Sequence, residues 1–402
     1  MTYEWNHSTI NDVCVLVTDG SHSSPKSVND GKYMVSVKDF TDYGFDFASC
    51  RMISNDDYET LKRNGCVPQI DDILIGKDGA RFFEDIIIYR QREKPALLSS
   101  IAILRCDKSK ILPDFLYYVL RTPSFRQDVK DNYGSGSAIP RIILKDFKRM
   151  MVSYPSLEKQ QAIISVLTAI DSKIQANTEI NDNLYAQAKA TTKQWISKST
   201  GDYELLPLSD IASINPDTYS PKETWKYVNY LDTSSITEGC IAEIQHITPS
   251  SEKLPSRARR KIAPNDIVFS TVRPNQRHYG IISEPLPNML GSTGFAVIRS
   301  KNPLVCNELI YLCLTENEFI EKMQQLAEQS ASTFPSIKPS DLGVCEIPCP
   351  KDQSSTSFTE TLKSLFALIA ANQRENISLS EIRDALLPKL MSGEIDVSDI
   401  QL

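Results

Sequence analysis

An apolar seam with a helical heptad step, present twice, is the feature that most constrains this chain. Over residues 155–198 the sequence begins PSLEKQQAIISVLTAIDSKIQANTEINDNLYAQAKATTKQW. Ile163, Leu167, Ile170, Ile174, Leu184 and Ala188 follow alternating steps of four and three, and Asn177 and Asn181 fill the two slots between. That spacing is the seam of a helix packed against one partner helix. No proline or glycine interrupts it, which predicts a helix of about 40 residues, ~60 Å long at 1.5 Å per residue. A shift of 195 positions returns the pattern as Phe358, Leu362, Leu365, Ile369, Asn372, Asn376 and Leu379. Both polar breaks recur in the same slots, so the chain carries two copies of one helix. In an antiparallel pair the helix midpoints face each other. The four asparagines then meet in the seam and fix its register, because a slip would set amides against leucine and isoleucine.

The segments between the helices repeat as well. Tyr33 matches Tyr227, Asp72-Ile73 matches Asp266-Ile267, and Ala102 with Arg105 matches Ala296 with Arg299. Tyr117, Leu120 and Phe125 match Tyr311, Leu314 and Phe319, all at an offset of 194. After one inserted residue, Ser135, Ser137, Pro140, Ile142 and Asp146 match Ser330, Ser332, Pro335, Ile337 and Asp341. The order is therefore domain, helix, domain, helix: 1–154, 155–202, 203–349 and 350–402. Short β-type runs such as Tyr33 to Val37, Ile73 to Ile75, Ile86 to Tyr89 and Ile101 to Leu104 alternate with turn signals at Asp19-Gly20 and Asn29-Asp30-Gly31. One helical stretch is expected from Pro113 to about Val129. Each domain reads as strand-rich mixed α/β, the two related by a pseudo-twofold and separated by a long antiparallel two-helix coiled coil.

With 402 residues, 41% hydrophobic and 24% charged, the chain has the composition of a soluble globular protein of two or more domains. No apolar run approaches 18 residues and no basic-then-apolar leader opens the sequence, so neither a membrane span nor a secretion signal is expected. Nine scattered cysteines without a CxxC pair read as reduced thiols of a cytoplasmic protein. Neither they nor the four histidines show metal-ligand spacing, and no metal or cofactor is expected.

Catalytic patterns are missing too. There is no phosphate loop, no dinucleotide fingerprint and no nucleophile elbow. Gly76-Lys77-Asp78-Gly79 and Gly134-Ser135-Gly136-Ser137 are too short for nucleotide loops and read as tight turns. The chain is expected to be non-enzymatic.

Charge is unevenly placed. The net charge is −7, yet residues 81–150 hold fourteen Lys/Arg against eight Asp/Glu. Residues 253–278 hold Lys253, Arg257, Arg259, Arg260, Lys261, Arg273 and Arg277 against Asp266 alone. One basic stretch per copy in a net acidic protein suits a face that meets phosphates, against the plainer reading of a solvated charged surface. The candidate DNA-binding residues are Lys77, Arg81 and Arg141 in the first copy, and Arg257, Arg259, Arg260, Lys261, Arg273 and Arg277 in the second. Arg273, in Ser270-Thr271-Val272-Arg273-Pro274, sits where an arginine could read guanine in a bidentate way. His22, in Thr18-Asp19-Gly20-Ser21-His22, is a further candidate against the plainer reading of a solvated loop histidine.

Together these landmarks resemble the specificity subunit of a type I restriction-modification system. The carrying segments are Pro155 to Gln160, Asp171-Ser172-Lys173-Ile174 with Asn177, Thr18 to His22, Asp266 to Pro274, and Ser332 to Ile337. The second helix departs from the pattern by opening Cys349-Pro350-Lys351-Asp352-Gln353. The resemblance implies two target-recognition domains, each binding half of a split site in double-stranded DNA. It also implies a helix pair that acts as spacer and as docking surface for two modification (methyltransferase) subunits, joined by two restriction subunits where cleavage is part of the system. Those subunits, and not this chain, would bind S-adenosylmethionine and methylate adenine. Two rival readings share the same features: a duplicated helical scaffold that binds no DNA, and a split-site DNA binder that recruits no methyltransferase.

Overall fold

The computed structural model describes residues 4–79, 81–134, 140–198, 201–220, 222–330 and 334–397; Ser135, Gly136, Ser137, Ser332 and Thr333 lie outside them. The chain divides into two compact units, Met1–Ile174 with Ile377–Leu402, and Gln175–Asn376. Each unit thus takes one part of both long helices, which span Leu157–Lys198 and Thr356–Ser392.

In the first unit an antiparallel four-stranded sheet has the order Cys14–Asp19, Ile101–Cys106, Ile73–Gly76, Ile86–Ile88. Its central strands are continuous apolar runs because both faces are covered. Ile73, Ile75, Ala102 and Leu104 face a helical core, while Leu74, Ile101 and Ile103 face a second core with Val35, Phe45 and Tyr89. A smaller sheet carries Lys32–Val35 between Arg51–Ile53 (antiparallel) and Ala96–Leu97 (parallel).

The second unit repeats this plan. Its sheet has the order Ala212–Ile214, Phe295–Ser300, Asp266–Ser270, Tyr279–Ile282, again antiparallel. Val228–Leu231 pairs antiparallel with Gln245–Ile247 and parallel with Met289–Ser292, and Ala258–Lys261 extends that second sheet.

The single helix expected near residue 113 is two helices, Pro113–Arg121 and Pro123–Asn132. Pro123 disfavours helical geometry at Thr122, whose ψ is 141°, and the Thr122 hydroxyl then caps the second helix by accepting from Phe125 N.

The long helices pack antiparallel inside each unit. In the first, Ile163, Ile164 and Leu167 share a core with Leu387, Leu390 and Val397. In the second, Trp195 stacks on Phe358 with centroids 4.4 Å apart, and Ala188 joins a core with Leu362, Leu365 and Phe366. The helices begin differently. Gln160, fully buried, accepts from Leu112 N at 2.8 Å and donates to Lys110 O and Pro155 O, which ties the helix start to the loop before Pro113. Its counterpart Ser355 only accepts one bond, from Trp195 Nε1 at 3.2 Å.

Candidate nucleic-acid interface

In each unit the loops at one end of the main sheet converge, and their backbones match. In the first unit Lys77 N donates to Ser100 O, Ile142 N to Lys77 O, and Gly79 N to Pro140 O, at 2.9–3.0 Å. In the second unit Thr271 N donates to Gly294 O, Ile337 N to Thr271 O, and Arg273 N to Pro335 O, at 2.8–2.9 Å. Isolated bridges join Asp78 to Arg141 and Val272 to Ser336 at the same places. Two left-handed residues punctuate each loop: Gly79 (φ 97°) and Phe83 (φ 63°) in the first, Arg273 (φ 47°) and Arg277 (φ 57°) in the second. Three of the four are not glycine, so the neighbouring structure holds a conformation that disfavours an L side chain.

The frame is common but the side chains are not. In the first unit Lys77 is buried and pairs with the buried Asp19 at 3.1 Å, while the exposed His22 approaches the other oxygen of Asp19 at 3.3 Å. Gly20 is required between them, since a Cβ there would fall 2.3 Å from Leu97 O. Arg81 is exposed and pairs with Asp85 at 2.8 Å, and the exposed Arg141 stands at the bridge to Asp78. The structure thus gathers His22, Lys77, Arg81 and Arg141 at one sheet end, with Lys77 turned inward against Asp19.

In the second unit Arg273 is exposed and its guanidinium lies 5.0 Å from the centroid of the Phe334 ring. Arg277 pairs with Glu238 at 3.1 Å and donates to Asn317 at 2.8 Å. The Arg257 carbonyl accepts from Thr293 N beside this loop at 2.7 Å. Arg259, Arg260 and Lys261 instead run along the strand Ala258–Lys261. There Lys261 pairs with Glu223 at 2.7 Å and lies over Trp225, and burial pushes the Arg260 pKa down.

The four asparagines belong to the second unit and meet across its helix pair. Asn177 Nδ2 donates to Asn376 Oδ1 at 2.9 Å and to Glu375 Oε2 at 2.8 Å; Asn372 Nδ2 donates to Asn181 Oδ1 at 2.8 Å. Asn177 is buried, and its Oδ1 has no hydrogen-bond partner.

Among the described residues no group of three or more His, Cys, Asp or Glu is placed to hold a metal ion, and no helix is long and apolar enough to cross a membrane. A duplicated loop frame carrying different polar side chains is suited to recognising two different surfaces of similar shape.

Residues 3–186 match the family described as type I restriction modification DNA specificity domain. Over those residues the chain carries a type I restriction modification DNA specificity domain. The MjaIX specificity subunit of Methanocaldococcus jannaschii is 24% identical over 316 residues, covering 73% of this chain and 71% of its own. The HindI specificity subunit of Haemophilus influenzae is 22% identical over 370 residues, covering 73% and 80%. The crystal structure of the type I restriction-modification S subunit from M. genitalium shares the fold, with a TM-score of 0.56 at 16% identity over 96% of each chain.

Within this specificity-subunit fold, several residues gain a role that spacing did not reveal. Asp72 with Arg105, and Asp266 with Arg299, are repeat landmarks in the sequence and prove to be one ion pair on a buried aspartate, made twice. An acid and a base recurring at the same offset was the available signal. Gln160, Asp19 and Phe334 stand out in the sequence only as members of the segments that carry the resemblance, and nothing there points to the contacts they make.

Proposed function

We propose that this chain recognises a bipartite site in double-stranded DNA, one half through each sheet-end loop cluster, and docks two modification subunits, with restriction subunits where cleavage follows. The observation that carries this is the duplicated loop frame with unlike side chains: Lys77, Gly79 and Arg81 in the first copy stand where Thr271, Arg273 and Asn275 stand in the second. One shape repeated suits a duplex groove, and side chains that differ suit two different half-site sequences. His22, Arg81, Arg141, Arg257, Arg273 and Arg277 are the proposed contacts; Lys77 supports the loop through Asp19, and Arg259, Arg260 and Lys261 supply positive charge beside it. Asn177, Asn181, Asn372 and Asn376 hold the register of the helix pair. The chain itself catalyses nothing, and methyl transfer belongs to its partners.

The test is duplex binding by the complex with its modification subunit across a salt series. Each phosphate neutralised adds about −0.9 to the slope of log affinity against log salt. A steep negative slope is expected, and binding that ignores salt, or is absent, would favour a protein-only scaffold.

A further inference from the structure

Three arginines of the first unit line a cavity of about 330 Å³ together with Tyr118, Asp384 and Leu387. Arg121 and Arg126 flank the break between the helices Pro113–Arg121 and Pro123–Asn132, and Arg383 comes from the long helix Thr356–Ser392. Arg383 is served by two carboxylates, Asp384 of the cavity lining and Asp171. Asp171 accepts from its Nη1 at 2.9 Å, and from Tyr118 Oη at 2.6 Å, while Asp384 accepts from its Nε at 2.9 Å.

Among the described residues, neither Arg121 nor Arg126 pairs with a carboxylate. Arg121 lies over the Tyr117 ring and donates to the Tyr117 hydroxyl. Arg126 donates only to the Glu84 carbonyl, at 3.2 Å, and its Nε is buried without a partner. Burial, then the positive charge of Arg121, press the Arg126 pKa down.

The duplicate copy shows that the fold does not need these charges. At the repeat offsets, Arg121, Arg126 and Arg383 correspond to Thr315, Ile320 and Ala188, all buried and uncharged. Two guanidiniums repelling each other in a half-closed cavity are unfavourable on their own, and an anion between them reverses the sign of the interaction. A planar guanidinium fork offers several donors in fixed geometry, and several of them around one cavity suit an oxyanion with several acceptor oxygens.

We propose that this cavity binds one phosphate group, held between Arg121 and Arg126, with Arg383 forming the third wall. The cavity adjoins the Arg81 loop: the Glu84 whose carbonyl takes Arg126 has its carboxylate 3.7 Å from Arg81 Nε and 3.6 Å from Lys130 Nζ. The group is therefore either a phosphodiester of bound DNA or free phosphate.

The full chain is titrated with inorganic phosphate by calorimetry at constant ionic strength, against chloride. Wild type should bind phosphate saturably. The double variant Arg121→Thr, Arg126→Ile, which installs the residues of the other copy, should bind about tenfold or more weakly, as expected for losing charge-assisted hydrogen bonds. The single change Arg126→Gln, which keeps most of the volume, should give the same direction should the double variant misfold. If DNA supplies the phosphate, the double variant also lowers the salt slope of duplex binding by about 0.9; an unchanged slope assigns the site to free phosphate. No binding beyond chloride, full binding retained in the variants, or tighter binding of glutamate than of phosphate would overturn the proposal.

Discussion

Arg105 sets Nε and Nη2 on the two carboxylate oxygens of Asp72, each at 2.8 Å, although Asp72 has no exposed surface. Arg299 repeats the grip on the equally buried Asp266 at 2.7 and 2.9 Å. In both copies the same carboxylate also accepts a backbone N–H from three residues earlier, Gln69 or Ala263, at 2.7 Å. The acid is thereby locked at the start of a central strand, and the base reaches it from the neighbouring strand. The pair fixes the sheet on which the loops of the proposed DNA contacts stand.

The two partners are unequally buried, and this predicts an asymmetry. Arg105→Met leaves a buried carboxylate without its counter-charge and should cost about 3 kcal/mol or more. Asp72→Asn leaves a guanidinium whose side chain is 28% exposed and can turn to water, so its cost should be smaller. Denaturant unfolding of both variants checks the order. Equal losses, or a larger loss for Asp72→Asn, would contradict it.

Gln160 is the second structural prediction. Replacing it with alanine orphans Leu112 N, Lys110 O and Pro155 O at a buried junction. The expected loss is about 2–4 kcal/mol. Ser355→Ala removes a single bond and should cost about 1 kcal/mol. Chemical denaturation of each variant measures the difference.

Arg273 stands in a left-handed conformation where the first copy has Gly79. Arg273→Gly relieves the steric penalty on a side chain there but forfeits the contact with Phe334 and loosens the unfolded chain. Stability should therefore change by less than about 1 kcal/mol. Binding of the proposed DNA site should fall roughly tenfold, as losing one base contact worth about 1–3 kcal/mol implies. Thermal melting and duplex titration separate the two effects, and unchanged affinity would remove Arg273 from the interface.

In the helix pair of the second unit, Asn177 and Asn376 should behave as a coupled pair. Asn177→Leu alone removes the bond that Asn177 Nδ2 gives to Asn376 Oδ1 and should cost about 1–2 kcal/mol. Replacing both residues by leucine should recover most of that, since the partnerless Asn177 Oδ1 is removed as well. A double-mutant cycle reads the coupling directly. Additive losses would mean that the amides act independently.

The repeat made much of the fold legible. Seam residues Ile163, Leu167, Leu362 and Leu365 are buried as their spacing implies, because a periodic apolar stripe has only one way to leave water. The break at Thr122-Pro123 is masked in the sequence because the apolar pattern runs on through Phe125, whereas the backbone obeys the proline. Charge was the least legible property. Lys77 and Arg81 are four residues apart, yet one is buried on Asp19 and the other is exposed. Composition sees a basic stretch, but which cations reach a surface, and which meet across it, depends on strand ends that only the folded sheet assembles. Arg121, Arg126 and Arg383 lie together although more than 250 residues of sequence separate the last from the others.

Two independent recognition units in one chain are the centre of the proposed function. The measurement that tests this most directly is the pattern of methylated adenines in the DNA of cells carrying the modification subunit with this chain. It is compared with a chain whose residues 1–154 come from a relative. One half of the methylated site should change and the other should stay the same. If both halves changed together, or neither did, the two units would not be separate readers of a split site.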